Sequence, residues 1–115
     1  MDNFILFKKA YELVVWLYPL VMKFPKHQRF ALSQQILNTE IYFLKILIEA
    51  NSSSRKLYIL RRASVELEKI RFLLRLSKDL RFLSIRKYEL FCEKNNEVGR
   101  ILGGLIRKLS VKKPS

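Results

Sequence analysis

The sequence predicts an all-α fold: an up-down-up-down four-helix bundle over residues 1–109, followed by a basic flexible tail at 110–115. Three observations carry this reading. Leu, Ile, Lys, Arg and Glu dominate a 115-residue chain with only three glycines and three prolines, too few for a sandwich, a barrel or a linker-rich chain. Four long stretches repeat their apolar side chains at helical spacing. The breaks between them are short, which makes consecutive helices antiparallel neighbours. The length suits one domain with one modest core, and a hydrophobic fraction of 50% excludes a disordered basic tail as the whole protein.

The first helix is expected from Asn3 to Met22, with Asp2 or Asn3 as its N-cap. Phe4, Leu6, Phe7, Ala10, Leu13, Val14, Leu17 and Val21 give it apolar surface, and Val15, Trp16 and Tyr18 extend that surface around most of the circumference. Pro19 removes a backbone donor and should bend or tighten the last turn, before Phe24-Pro25-Lys26 breaks the helix. The second helix is expected from His27 to Ala50, where Leu32, Ile36, Phe43, Leu47 and Ala50 follow helical spacing. β-Branched residues between Ile41 and Ile48 alone would suit a strand, but length and the flanking helix formers decide for helix. Asn51-Ser52-Ser53-Ser54 reads as a loop, with Ser54 placed to cap the third helix.

The third helix, from about Arg55 to Leu80, is leucine-rich and basic together. Between Arg61 and Arg81, seven Lys or Arg residues face only Glu66, Glu68 and Asp79. At 100° per residue, Arg61, Glu68, Arg71, Arg75, Lys78 and Asp79 share one narrow face, and Leu60, Ala63, Leu67, Ile70 and Leu74 lie beside it. Val65, Phe72, Leu73, Leu76 and Leu80 continue round the back. A short connection, Arg81-Phe82-Leu83, leads to Ser84 as N-cap of the last helix, which continues to about Leu109. Phe91, Asn95, Val98, Leu102, Leu105 and Leu109 alternate steps of four and three, a heptad-like seam with one polar member. Gly99, Gly103 and Gly104 each cost a helix interior about 1 kcal/mol, and Gly99 and Gly103 share a face, which suggests a close backbone approach.

The net charge of +13 is unevenly distributed. Residues 55–81 carry +6 and residues 107–115 carry +4, so most of the excess lies on one helix and the tail. Such a patch attracts phosphate polymers, anionic membranes or acidic proteins. Arginine favours the first, because its guanidinium binds phosphate bidentately and stacks on bases. No zinc-finger, RNA-recognition-sheet or helix-turn-helix pattern accompanies it, so phosphate contact is expected without sequence-specific reading.

The sequence argues against an enzyme. His27 is the single histidine, so neither a metal site nor a nucleophile–base pair can be assembled. Glu89, Glu93 and Glu97 share a face with Arg86 and Arg100 and read as solvated pairs. No cofactor and no small-molecule substrate is expected. Cys92 falls on the apolar side of the last helix and reads as a buried small hydrophobe in a reducing compartment. The longest apolar run, Leu13 to Met22, is half of the roughly 20 residues a membrane span needs. With no signal-peptide pattern, the expectation is a cytoplasmic protein without a membrane partner. The apolar surface of the first three helices exceeds the stripe that one core requires, which points to homo-oligomerisation.

Four collinear segments resemble a known family: YELVVWLYPLVMKFPKHQRFAL (Tyr11 to Leu32), ILIEA (Ile46 to Ala50), LRLSKDLRFLSIRKYE (Leu74 to Glu89) and EVGRILGGLIRK (Glu97 to Lys108). They are similar to the Avd family, the accessory variability determinants of diversity-generating retroelements. They are also similar to the wider group of four-helix proteins encoded in 23S ribosomal RNA intervening sequences, which leaves an RNA-associated or purely structural oligomer as the alternative. The resemblance implies a homopentameric, barrel-like ring that binds a reverse transcriptase and its template RNA, and possibly DNA, to support mutagenic cDNA synthesis without activity of its own. The family's basic surface corresponds here to Arg71, Arg75, Lys78 and Arg81, with Arg29, Arg100, Arg107 and Lys108 as secondary candidates. In such a ring Val65, Phe72 and Leu76 would form a subunit interface.

Overall fold

The computed structural model describes the backbone of residues 2–111 and the side chains of all of these except residues 2, 3 and 28–30. The expected capping by Asp2 or Asn3, the Arg29 side chain, and Lys112 and Lys113 of the tail therefore lie outside the described residues. Four helices, α1 (Asp2–Met22), α2 (Gln34–Ser52), α3 (Lys56–Asp79) and α4 (Ile85–Val111), account for nearly all of the described chain, and none of it is strand. Each helix packs on the next in chain order and α4 closes back onto α1, giving the four-helix bundle, 52 Å long and 23 × 21 Å across.

The core follows the expected periodicity. Leu6, Ala10, Leu13, Leu17 and Val21 of α1 meet Ile36, Phe43, Ile46, Leu47 and Ala50 of α2 in one buried cluster. Ile59, Leu60, Ala63, Leu67, Ile70 and Leu74 of α3 join it, as do Phe91, Val98, Leu102 and Leu105 of α4. Asn95 is buried within the α4 seam, as its heptad position requires. α1 runs through Pro19, and the chain tightens immediately afterwards: Lys23 and Phe24 donate to the carbonyls three residues back, Leu20 and Val21, at 3.3 and 3.1 Å.

Three boundaries differ from the expectation, each for a local reason. α2 does not start at His27. A single 3₁₀ turn (Lys26–Gln28) and a π-helical segment (Arg29–Ser33) precede it. Buried Ser33 holds that entry by donating its hydroxyl to the Val21 carbonyl at 3.1 Å, which ties the turn to the end of α1. The Asn51–Ser54 loop is shorter than expected because α2 continues to Ser52. The expected cap by Ser54 does not form: Arg55 occupies the N-cap position of α3 without a side-chain capping bond, and the Ser53 hydroxyl accepts from the Arg55 amide at 2.9 Å within the turn. α4 continues to Val111, two residues past the expected end. Ser84 does cap α4, its hydroxyl accepting from the Lys87 amide at 3.1 Å.

Candidate nucleic-acid interface

The orientation of α3 is set by its buried stripe. With Leu60, Ala63, Leu67, Ile70 and Leu74 facing the core, the opposite side must present Val65, Phe72 and Leu76, and they are 53%, 73% and 45% exposed. The basic side chains stand among them. Lys69, Arg71 and Arg75, with Glu68, Val65 and Phe72, line an open groove whose far wall is Tyr88 of α4. Sequence reasoning separated a basic edge from an apolar back. The structure brings the two into one groove.

The cations of this groove are held to different degrees. Arg71 Nη1 lies 3.3 Å from Glu68, and its Nη2 donates to Asn96 Oδ1 at 3.0 Å, so α4 fixes the guanidinium. Lys69 pairs with Glu66 at 3.1 Å, one turn back along its own helix. Arg75 is exposed and makes no ion pair among the described residues. Lys78 pairs with Asp79 at 3.3 Å and sets its Nζ 5.0 Å from the centre of the Tyr88 ring. Burial, then a hydrogen bond with Cys92, pushes the Tyr88 phenol above its ordinary pKa, so the ring stays neutral beside these cations. Sequence reasoning missed Tyr88. Its signal was its place one turn past the Ser84 cap, across a short connection from Lys78.

Arg81 lies in the connection beyond α3, as expected. Its φ is +68°, the left-handed conformation that glycine adopts most readily. The Phe82 amide donates to the Ser77 carbonyl and the Arg81 amide to that of Lys78, both at 2.9 Å, which is a Schellman ending with arginine in the glycine position. Arg81 thereby lines a hollow at the α3–α4 turn with Lys78, Phe82 and Ile85. The turn itself is anchored by the Phe82 ring, 5.9 Å from that of buried Phe24.

The secondary candidates do not converge on the groove. Arg100, Arg107 and Lys108 are exposed along the later half of α4, away from the Arg81 turn. The glycines do not mediate close helix packing here. A Cβ on Gly99 would meet only the Leu67 side chain at 3.9 Å, and one on Gly103 or Gly104 only the Arg107 guanidinium, at 3.5 and 3.9 Å. The expected close backbone approach is absent within the bundle, and Arg107 folds over the bare glycine surface instead.

A second basic cluster was not foreseen. Arg55 and Arg62 sit 4.4 and 6.0 Å from the Tyr58 ring centre, and Arg62 donates to the Tyr42 hydroxyl. Its signal was the 55, 58, 62 spacing on one helical face. The α1–α2 side is different in kind. Phe4, Tyr11, Val15, Tyr18 and Met22 form an exposed stripe along α1 that only Lys8 interrupts. The groove beside it, lined by Tyr18, Met22, Gln34, Leu37, Asn38 and Ile41, holds no charge.

Chemically, the α3–α4 groove offers fixed cations and exposed rings, a combination suited to phosphate and base contact. Among the described residues no group of His, Cys, Asp and Glu is placed to hold a metal, and no helix is long and apolar enough to cross a membrane. Two buried polar residues of the core, Glu40 and Asn95, find no hydrogen-bond partner for their side chains among the described residues. Residues 4–109 match the model of a protein family described as bAvd-like. No curated protein matches the chain.

Proposed function

The chain belongs to the bAvd-like family, and from that membership we propose that it is an accessory protein of a diversity-generating retroelement, without catalytic activity of its own. In this reading it binds the element's reverse transcriptase and template RNA, with DNA as a further phosphate ligand, and supports mutagenic cDNA synthesis. The observation that carries the reading is the α3–α4 groove, where Arg71, Arg75 and Lys78 gather beside Tyr88 on the most basic segment of the described chain. Arg81 extends that surface at the turn, and Arg100, Arg107 and Lys108 supply weaker, longer-range attraction.

We also propose that copies of the chain assemble into a ring, with five as the number the family resemblance implies. Val65 and Phe72 line the groove with Lys69, Arg71 and Arg75 against the single carboxylate of Glu68, so burying them against a second copy would desolvate a net positive cluster that includes the unpaired Arg75. The uncharged stripe of Tyr11, Val15, Tyr18 and Met22, with Ile41 of α2, fits a contact between copies better.

The test is charge reversal. Changing Arg71, Arg75 and Lys78 together to Glu should abolish binding of RNA and of the polymerase while helicity stays intact. For the parent protein, the logarithm of RNA affinity should fall linearly with the logarithm of salt concentration. A flat salt dependence would remove phosphate contact as the basis of binding, and loss of fold in the triple variant would make the patch structural.

A further inference from the structure

We infer that the α3–α4 groove takes single-stranded nucleic acid, with an unpaired base stacked on the Phe72 ring and the flanking phosphates on the cations around it. The inference rests on the RNA-binding reading and narrows it to one strand state and one aromatic residue. Phe72 is 73% exposed, the most exposed aromatic side chain of α3, and it shares its face with Val65 and Leu76 and with charged side chains. Lys69 lies one turn before it, Arg75 one turn after it, and Arg71 beside it. On a helix surface residues three apart are neighbours, about 5–6 Å between Cβ atoms. The ring thus has a cation one turn away on each side along the helix axis, and the one carboxylate beside it, Glu68, is paired with Arg71.

That arrangement suits a single strand. In a duplex each base is stacked on its neighbours and offers a ring only its edge, whereas an unpaired base offers its face. Every base has such a face, so stacking on Phe72 would tolerate any sequence, consistent with the lack of a base-reading motif. The groove is prepared for the backbone as well. Arg71 is fixed by Glu68 and Asn96 at 3.3 and 3.0 Å, so ordering it costs little on binding. Arg75 has no ion pair to break among the described residues. Across the groove Tyr88, with Lys78 over its ring, supplies a second aromatic surface beside a cation. A protein partner would instead have to match Arg75, which has no ion pair among the described residues, with an acidic side chain.

The experiment measures binding of a short single-stranded oligoribonucleotide and of its perfect duplex, by fluorescence anisotropy, to the full chain and to Phe72→Ala and Phe72→Trp. Loss of one stacked base should weaken single-strand binding by Phe72→Ala about 5- to 150-fold, the equivalent of 1–3 kcal/mol. Duplex binding should not change, and Phe72→Trp should retain single-strand affinity. The residue is mostly exposed, so neither variant should disturb helicity. If Phe72→Ala binds single strands as the parent does, while the Arg71, Arg75 and Lys78 triple variant does not, stacking is overturned and the RNA-binding reading stands. If neither variant weakens binding, both readings fall. A change of assembly state in Phe72→Ala by light scattering, or loss of polymerase binding with RNA binding intact, would assign the ring to a protein contact and overturn the proposal.

Discussion

Glu40 allows a quantitative test of the core. Its side chain is 1% exposed among apolar neighbours, with neither carboxylate oxygen hydrogen-bonded, and burial raises its pKa from 4.5 to about 8. The folded protein therefore keeps a proton that the unfolded chain has released between those two values. In that window the unfolded state binds fewer protons, so stability must fall as pH rises, by 1.36 kcal/mol per pH unit. The contribution is complete below pH 4.5, declines through the window, and is exhausted above about pH 8, a total of about 5 kcal/mol. By pH 7 about 3 kcal/mol of it is gone, a large share of the 5–15 kcal/mol that holds a typical domain. Two substitutions separate charge from polarity. Glu40→Leu should remove this pH dependence and stabilise the protein at neutral pH, because the carboxyl it replaces has no partner to lose. Glu40→Gln should remove the pH dependence too, but gain less, since its amide remains unpaired. Urea titrations followed by circular dichroism from pH 5 to pH 9, at one protein concentration, measure all three. A parent whose midpoint is flat across that range, or a Glu40→Leu variant that keeps the parent's slope, would refute the account.

The helix ending, the seam and the α1 stripe each predict a measurable change. Arg81→Gly should raise the melting temperature, because glycine relieves the left-handed strain at the α3 ending by about 1 kcal/mol, while the loss of a cation weakens RNA binding. Leu102→Ala, at a position 1% exposed in the α4 seam, should cost about 2–5 kcal/mol in denaturant titration. Val15→Glu with Tyr18→Glu places charge on the exposed α1 stripe, and light scattering should then report smaller assemblies with unchanged helicity. An unchanged assembly state would move the contact between copies elsewhere.

Most of the fold was legible because its signals are periodic. The seam Phe91, Asn95, Val98, Leu102 and Leu105 is the buried seam of α4, with Leu109 at its end only partly buried, and the expected core residues of α3 are all buried, joined by Ile59, Glu66 and Ser77. What escaped reading was set by the absence of the usual residue. A glycine at position 81 would have marked the end of α3. With arginine there the connection could be placed after Leu80, but its left-handed φ shows only in three dimensions. Glu40 lies four residues after Ile36 on the core stripe, but an acidic residue reads as a solvated break in that stripe, not as a member of it. The groove was half legible. Arg71, Arg75 and Phe72 could be placed on α3 by angle, but the distance between the basic edge and the apolar back depends on Tyr88, Asn96 and the packing of α4.

The segregation of charge bears on how such a chain could assemble. Copies carrying +13 repel one another, so an interface between them forms at least cost where that charge is not. The α1–α2 side meets that condition, since residues 1–22 carry no net charge and the groove beside Tyr18 has no charged lining. In a four-helix cycle that side lies opposite the α3–α4 side. Association through it would leave every basic groove free, and several grooves on one body would hold one long strand at a high effective concentration. A groove that binds a single short strand weakly would then bind a long template tightly. The measurable signature is a gain in affinity with strand length that the Val15 and Tyr18 double variant loses, while its affinity for a strand of one-groove length stays that of the parent.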